Sequence, residues 1–417
     1  MLSAFTILSS GSPTLKKLRP FAIILFAFAS LIGILFAANS TISPRISSGE
    51  NFLVPWMGSR AYLFDQINPY TAEFAREVQI EIYGHVANEN EYPYRLDIPF
   101  YLLVFYFPFA FIENFDLARA LWMSFAEITL FGVGFLSIYL AEWKISRLNL
   151  TLFFTAIFLS FYGLYPIMVA SSAIFTTFIL FLALVALREK WDEVLAILLV
   201  FGASYLTRGG LLFLLILFVL ITSRRKRVFS VLAMSFISIV GFSLIIFPNW
   251  ILPFASSLLA NLCAEHGMLL GETLLIWYPN RGVLIAGIIK WISILVLILE
   301  WNAVRKGTNQ HVLCLAGFSL AITPFLGIHI TADIFPFLFL PLALILKNMQ
   351  DRWRNRKWGV SLALLLLPTS WIIVWRVPYA IEILTYLLPL LLIFALYWIR
   401  WWIVRPPHTW ADEVMQK

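Results

Sequence analysis

The sequence predicts an all-α fold, a polytopic bundle of about 12 or 13 transmembrane helices. Of its 417 residues, 61% are hydrophobic and 13% are charged, far below the roughly 25% charged content of soluble domains. Apolar runs long enough to cross a hydrocarbon core of ~30 Å begin near residue 20 and recur to residue 402. Residues 1–405 are therefore predicted to form a single transmembrane domain, followed by a cytoplasmic tail at 406–417.

The N-terminal region has the layout of a signal peptide, with three basic residues ahead of the apolar run 21–38. The run is long, however, and Ala37-Ala38-Asn39 is a weak cleavage site. We therefore expect an uncleaved first helix.

The net charge of +7 indicates membrane orientation rather than nucleic-acid binding, because the basic residues cluster in short breaks between apolar runs. These clusters are Lys16, Lys17 and Arg19; Arg224, Arg225, Lys226 and Arg227; Lys347, Arg352, Arg354, Arg356 and Lys357; and Arg400 and Arg405. Segment 248–280 has no Lys or Arg and is predicted, like the acidic segment 40–97, to lie on the opposite side. Basic loops of membrane proteins lie on the cytoplasmic side, the positive-inside rule, and this distribution therefore predicts a multi-pass protein of the cell membrane with both termini in the cytoplasm.

The region between 98 and 222 contains six apolar pieces. The chain is predicted to enter this region from the extracytoplasmic side and to leave it on the cytoplasmic side, which requires an odd number of membrane crossings. One piece is therefore predicted not to span the membrane. The choice is 98–112, which is short and interrupted by Pro108.

The segment 40–97 is predicted to be a large first extracytoplasmic loop. It holds eight of the 23 acidic residues, four arginines and no lysine. Asn68 and Pro69 predict a helix start, and Phe74, Val78 and Ile82 recur on one face. The pattern predicts an amphipathic helix on the membrane surface; the alternative is a helix that plugs the mouth of the bundle.

Ionisable groups at membrane boundaries are costly unless they are paired or face water, so the few present are functional candidates. Glu50, at the junction of the first helix and the acidic loop, is the predicted catalytic base, and Asp97, where the chain re-enters the membrane, is the competitor; the alternative for each is a solvated loop acid. The other candidates on the predicted outer side, taken as substrate-binding, are Asp65, Arg95, Arg208, Arg281, His329 and Asp333.

Arg208 lies in a break between two apolar pieces and could bind a lipid phosphate, since its planar donors match phosphate oxygens. It could equally be an interfacial anchor or a partner for a loop carboxylate. His329 and Asp333 would share a face if the segment between them were helical. Together they could then act as a proton relay, as a hydrogen-bonded substrate or structural pair, or as a weak pair of metal ligands. Two ligands are poor evidence, so no metal site is predicted. Cys263 and Cys314 indicate no disulfide framework.

The sequence contains no phosphate-binding glycine loop, dinucleotide fingerprint, HExxH or GxSxG motif. Nucleotide-driven and serine-hydrolase chemistry therefore lose support, and no cofactor is predicted. One carboxylate acting as general base, with cations around a leaving phosphate, is sufficient for sugar transfer from a lipid phosphate.

Several short blocks resemble bacterial glycosyltransferase family 87 of the GT-C class. They are Glu50 to Trp56, Ser59 to Leu63, Asn68-Pro69-Tyr70, Tyr92-Pro93, Ala118 to Trp122, Pro166 with Ser171-Ser172, Thr207-Arg208, and Thr323 to Asp333. The resemblance covers roughly 15–345 and adds Arg60 and Tyr70 to the substrate-binding candidates. It implies transfer of a sugar such as mannose from a polyprenyl-phosphate donor to a glycan or lipid acceptor on the extracytoplasmic face, with membrane lipids as further partners.

The chain departs from this family at several positions. Asn51 stands where the family has an acid, which leaves Glu50 as a substitute shifted by one residue. Gln66, Ser172-Ala173 and Arg208 replace a glycine, a Gly-Gln pair and a lysine. Two alternatives to an active transferase therefore stay open: a transporter or flippase for lipid-linked sugars, and a catalytically inactive protein of the same fold.

Overall fold

The computed structural model is helical throughout its regular structure. Within the residues that it describes, the β structure is a single antiparallel bridge between Met268 and Ile330. The described residues are 13–46, 49–205, 213, 216, 226–264, 267–304, 309–352 and 358–404. Arg208 lies outside them.

The helices are numbered in chain order. They are α1 (Pro13–Ile42), α2 (Glu50–Arg60), α3 (Ala72–Tyr83), α4 (Phe115–Leu140), α5 (Arg147–Leu159), α6 (Phe161–Met168), α7 (Ala173–Glu189), α8 (Asp192–Ala203), α9 (Lys226–Ile246), α10 (Ile251–Cys263), α11 (Leu270–Trp277), α12 (Gly282–Val304), α13 (Asn309–Ile322), α14 (Phe339–Arg352), α15 (Trp358–Leu366), α16 (Ser370–Arg376) and α17 (Ala380–Val404). Shorter pieces are single α-turns at Phe100–Leu103 and Phe107–Ala110, a π-helical turn at Ala61–Asp65, and 3₁₀ turns at Ser43–Arg45, Val104–Tyr106, Thr323–Phe325, Ala332–Leu338 and Leu367–Thr369.

Seven helical segments in the described part of the chain are long and apolar enough to cross a membrane, or up to eight if the bent pair α5 and α6 counts as one span. Some of these segments join neighbouring pieces: 332–352 is a 3₁₀ turn followed by α14, and 358–376 is α15, a 3₁₀ turn and α16. The number of segments covers the described residues alone, and most of the sixth predicted apolar piece, 209–222, lies outside them. Among the described helices, α8 and α13 have 12 and 14 residues and are shorter than the roughly 17–25 residues of a membrane-spanning helix, which lowers the count below the 12 or 13 predicted. Large apolar side chains cover the outside of the bundle; Leu252 is 82% exposed and Ile245 is 80% exposed. An all-α membrane bundle accounts for this surface.

The piece 98–112 does not form a continuous helix. Its helical part, Phe100–Ala110, is broken into three turns and, at ~1.5 Å per residue, would reach about half of a ~30 Å core. It packs against α2. That this piece does not cross the membrane stays a prediction, which its short and broken helix favours.

The amphipathic helix of the large loop forms as α3, with two corrections. Its N-cap is Thr71, whose hydroxyl accepts a hydrogen bond from the Phe74 amide, whereas the predicted cap Asn68 forms a turn just before it by accepting from the Tyr70 amide. The apolar face is not free to lie on a membrane, because Phe74 and Val78 are 1% and 0% exposed within the protein. The sequence pattern therefore identified the apolar face of α3 correctly. That face packs against the rest of the protein, however, and not against the membrane surface.

An aromatic cluster around Trp122 ties the loop to the bundle. The indole ring of Trp122 stacks on Phe52 at 5.0 Å and on Tyr106 at 4.8 Å, measured between ring centroids. Its Nε1 donates a hydrogen bond of 3.1 Å to the Ala170 carbonyl. These partners come from α2, from the 98–112 piece and from the turn after α6. One side chain of α4 therefore contacts three separate segments and fixes their positions relative to one another.

Gly163 lies at the bend between α5 and α6, where the chain turns by 45°. A Cβ atom at Gly163 would lie 1.9 Å from the Ile157 carbonyl oxygen. That neighbour is backbone and cannot rotate away, so the bend requires glycine at this position.

We expect Gly163→Ala to lower the free energy of unfolding by about 2–3 kcal/mol, because the added methyl group forces the two helices apart. Thermal unfolding of the purified protein in detergent measures this. The matched control is Gly241→Ala in α9, where a Cβ would meet nothing within 4 Å and helix propensity favours alanine. Equal unfolding temperatures for the two variants would contradict the packing at the bend.

Candidate functional site

Polar residues from distant parts of the chain meet at one end of the bundle. Asp333, at the start of the 3₁₀ turn that leads into α14, is only 2% exposed. Its Oδ2 accepts a hydrogen bond of 3.1 Å from the Asn51 amide and a second, short one from the Ser171 hydroxyl. A buried carboxylate is tolerated where donors of this kind satisfy it. The first loop, the turn after α6 and the start of α14 are thereby joined.

The segment 92–98 forms the opposite wall and is held by side chains on three sides. Gln79 of α3 donates to the Pro93 carbonyl at 2.7 Å. Asn261 of α10 donates to the Arg95 carbonyl at 2.7 Å, and its Oδ1 accepts from the Arg95 amide at 3.3 Å. The segment is not helical, so its backbone amide and carbonyl groups form hydrogen bonds with these side chains instead.

Tyr70 fixes the far end of the same segment. Its hydroxyl donates 2.9 Å to the Ile98 carbonyl, and its ring is 3% exposed. Burial, with smaller contributions from Tyr101 and Asp97, holds the pKa of Tyr70 well above its ordinary value. The hydroxyl therefore stays protonated as a donor, and the predicted substrate-binding residue is a structural support in this arrangement.

A narrow cleft lies between these walls. Its polar lining residues are Asn51, Tyr92, Tyr94, Arg95, Asp97, Tyr106, Ser172 and Asn261. The cavity volume is about 20 Å³, the room of a single water molecule. This volume is too small for a sugar as the cleft stands.

Arg95 contributes a cation to this cleft, and its Nε is buried without a hydrogen-bond partner among the described residues. A buried donor that lacks a partner is costly, so it marks a position where an acceptor would be stabilised. Arg95 and Asp97 are two residues apart on the same wall, which gives the cleft both a cation and a carboxylate.

The backbone is strained on both sides of the cleft. Tyr94 has φ 40° and Ala170 has φ 51°, a region that residues other than glycine rarely adopt. Such conformations persist only where the surroundings enforce them, and they concentrate at functional sites.

Glu50, the other predicted catalytic acid, lies beside the cleft but is not among its lining residues. Its carboxylate accepts a hydrogen bond of 3.0 Å from the Gly49 amide. It also lies within electrostatic range of Arg119, which is 2% exposed and donates to the carbonyls of Ser43 and Ile46. Glu50 is thus part of the contact that fastens the loop to α4.

The remaining candidates are scattered. Arg60 donates 2.8 Å to the Ala110 carbonyl and stacks over Trp56, while Asp65 and Arg281 are exposed. His329 and Asp333 do not share a helix face, because residues 328–331 are not helical and include the bridge at Ile330. The structure therefore brings Asp97 and Arg95 of the predicted set together in the cleft lining, and Asp333 is linked to that lining through Asn51 without being part of it.

Within the described part of the chain, no three His, Cys, Asp or Glu side chains are grouped so that they could hold a metal ion. The chemistry available at the cleft is that of a carboxylate, a guanidinium and amide groups.

An apolar groove lies on the other side of the same backbone segment. It begins at Pro99, two residues beyond Asp97, and has a volume of about 400 Å³, in the range of ligand pockets. Its lining includes Tyr101, Leu199, Phe236, Val240, Trp250 and Phe254. A polar cleft and an apolar groove are thus neighbours at one end of the bundle.

Sequence reasoning missed two residues that shape this site. Asn261 had no signal, since a single amide in an apolar helix is unremarkable. Asn51 was noted only as a departure, although an asparagine can serve as donor to a distant acid, which is the role it has towards Asp333.

A scan against protein-family models and searches of curated proteins and of solved structures gave no match to this chain. The functional argument therefore depends on the site itself.

Proposed function

We propose that this chain is a membrane glycosyltransferase that moves a sugar from a polyprenyl-phosphate donor to a glycan or lipid acceptor. The observation that carries the proposal is the position of a polar cleft, with Arg95 and Asp97, beside an apolar groove that begins at Pro99. A lipid-linked sugar has the same division: a polar, phosphate-bearing head and a long apolar chain. A bundle of apolar helices gives such a donor direct access from the membrane.

In this proposal Asp97 is the general base and Arg95 binds the donor phosphate. The acceptor hydroxyl loses its proton to Asp97 while its oxygen forms a bond to the anomeric carbon of the sugar. The bond from that carbon to the phosphate oxygen breaks, and polyprenyl phosphate leaves with its charge opposite Arg95. Asn51, oriented by Asp333, offers its amide to the sugar or phosphate.

The distribution of charge supports an extracytoplasmic cleft. Helix ends far from the cleft carry basic residues: Lys144, Arg147, Arg188, Lys347 and Arg352. Under the positive-inside rule that end faces the cytoplasm, and both termini lie there with it. We propose the cell membrane as the location.

The test is donor consumption by the purified full-length protein in liposomes that contain a radiolabelled polyprenyl-phosphate mannose. Label leaving the lipid fraction, with release of polyprenyl phosphate, supports transfer. Label that crosses the bilayer still attached to intact donor identifies a transporter instead. If the protein neither consumes nor binds any of several such donors, it is an inactive protein of this fold.

Replacing Arg95 with glutamine is expected to raise the KM for the donor by about tenfold or more, because a charge-assisted hydrogen bond to phosphate contributes about 1.5–3 kcal/mol. The matched control is Arg76→Gln, which removes an exposed arginine of α3 in the same loop. Donor titrations of both variants measure the effect; equal KM values would remove Arg95 from the phosphate site.

A further inference from the structure

Lys290 is an ionisable residue within a membrane-length helix. It lies eight residues into α12, a candidate span that begins at Gly282, so that its Cα is about 12 Å below that helix end. A charged group at this depth is costly unless it is paired or reaches water. None of the ion pairs formed by the described residues involves Lys290.

The stem of Lys290 packs on Gly327. A Cβ atom at Gly327 would lie 2.6 Å from Cδ and 3.1 Å from Cε of Lys290. Gly327 also has φ 73°, in the left-handed region that favours glycine. Because Gly327 has no side chain, the stem of Lys290 lies directly against the segment 326–331.

That segment carries a second polar group without a partner. His329, two residues after Gly327, has a buried Nε2 with no hydrogen-bond partner among the described residues. The segment itself is fixed, because Ile330 and Met268 exchange backbone hydrogen bonds of 2.8 and 3.1 Å. In the tautomer that carries its proton on Nε2, His329 is a hydrogen-bond donor on a segment that is fixed by backbone hydrogen bonds.

We propose that Lys290 and His329 form a binding site for a phosphate group at the edge of α12. An ammonium and an imidazole donor together suit a phosphate oxygen, and lipid phosphates are the anions available beside a membrane helix. Neither residue lines the cleft at Asp97, and the site holds whether or not the chain transfers sugar. Its ligand is a phosphate-bearing lipid headgroup or free phosphate.

The test uses the full-length protein purified in detergent and measures bound phosphatidic acid by native mass spectrometry, with phosphatidylcholine as the reference lipid. Wild type is expected to retain phosphatidic acid preferentially. Lys290→Met should weaken this binding by about tenfold, the factor of one lost ionic contact of about 1.4 kcal/mol, and Lys290→Arg should restore most of it. His329→Ala should weaken it less, since one donor of two remains.

Lys347→Met is the matched control. It also removes one lysine charge, but at the other end of the bundle, where Lys347 lies 3.9 Å from Asp351. Gly327→Ala should weaken binding without removing a charge, because its methyl group displaces the lysine stem. Competition by inorganic phosphate would identify free phosphate as the ligand, and its failure would identify the lipid headgroup. If Lys290→Met and Lys347→Met bind as wild type does, the site does not exist.

Discussion

Replacing Asp97 with asparagine is expected to lower the rate of sugar transfer by at least a hundredfold. Asp97 is the carboxylate that lines the cleft, on the same wall as Arg95. Asparagine keeps the shape of the side chain but cannot accept the acceptor's proton, and general base catalysis contributes about 10²–10⁴ in rate. The measurement is single-turnover transfer in liposomes at saturating donor, with thermal unfolding to show that the variant is folded.

Glu50→Gln is the matched control for this experiment. Glu50 bonds to the Gly49 amide and lies near Arg119, outside the cleft lining, so we expect its loss to reduce transfer by less than about tenfold. The opposite order, with Glu50→Gln inactive and Asp97→Asn active, would move the base to the start of α2 and overturn the assignment.

The second large effect is expected from Asp333→Ala, which should lower the free energy of unfolding by about 3 kcal/mol. The substitution leaves the Asn51 amide and the Ser171 hydroxyl without their acceptor, and each buried unsatisfied group costs about 1–3 kcal/mol. Transfer should also fall, because Asn51 faces the cleft and loses its orientation.

Asp65→Ala provides the comparison for Asp333→Ala. Asp65 is an exposed acid of the same large loop, and its loss should change stability by no more than about 0.5 kcal/mol. Chemical denaturation of both variants in the same detergent measures the difference. An Asp333 variant as stable as the Asp65 variant would show that the buried carboxylate does not join these segments.

The sequence is informative where local periodicity decides the structure. One of the long apolar runs forms α12, Gly282–Val304, and the face of α3 with Phe74 and Val78 is the buried one. These features depend on neighbours three or four residues apart, which one sequence displays directly. The cap at Thr71 was missed because Asn68 and Thr71 are both good caps, and only the path of the chain distinguishes them.

The site was less predictable, because its contacts are remote in sequence. Asn51 and Asp333 are 282 residues apart, and the partners Arg95 and Asn261 are 166 apart. Nothing periodic connects such pairs in a single chain. Lys290 carries a local signal, since it is a lone lysine inside an apolar run.

A double-mutant cycle on Asn51→Ala and Asp333→Ala tests most directly whether the first loop and the start of α14 build one cleft. If the amide donates to the carboxylate as described, the two losses in unfolding free energy should fall short of additivity by about 1.5–3 kcal/mol. Additivity within about 0.5 kcal/mol would mean that the two side chains do not interact, and the link between the first loop and the 3₁₀ turn before α14 would be refuted.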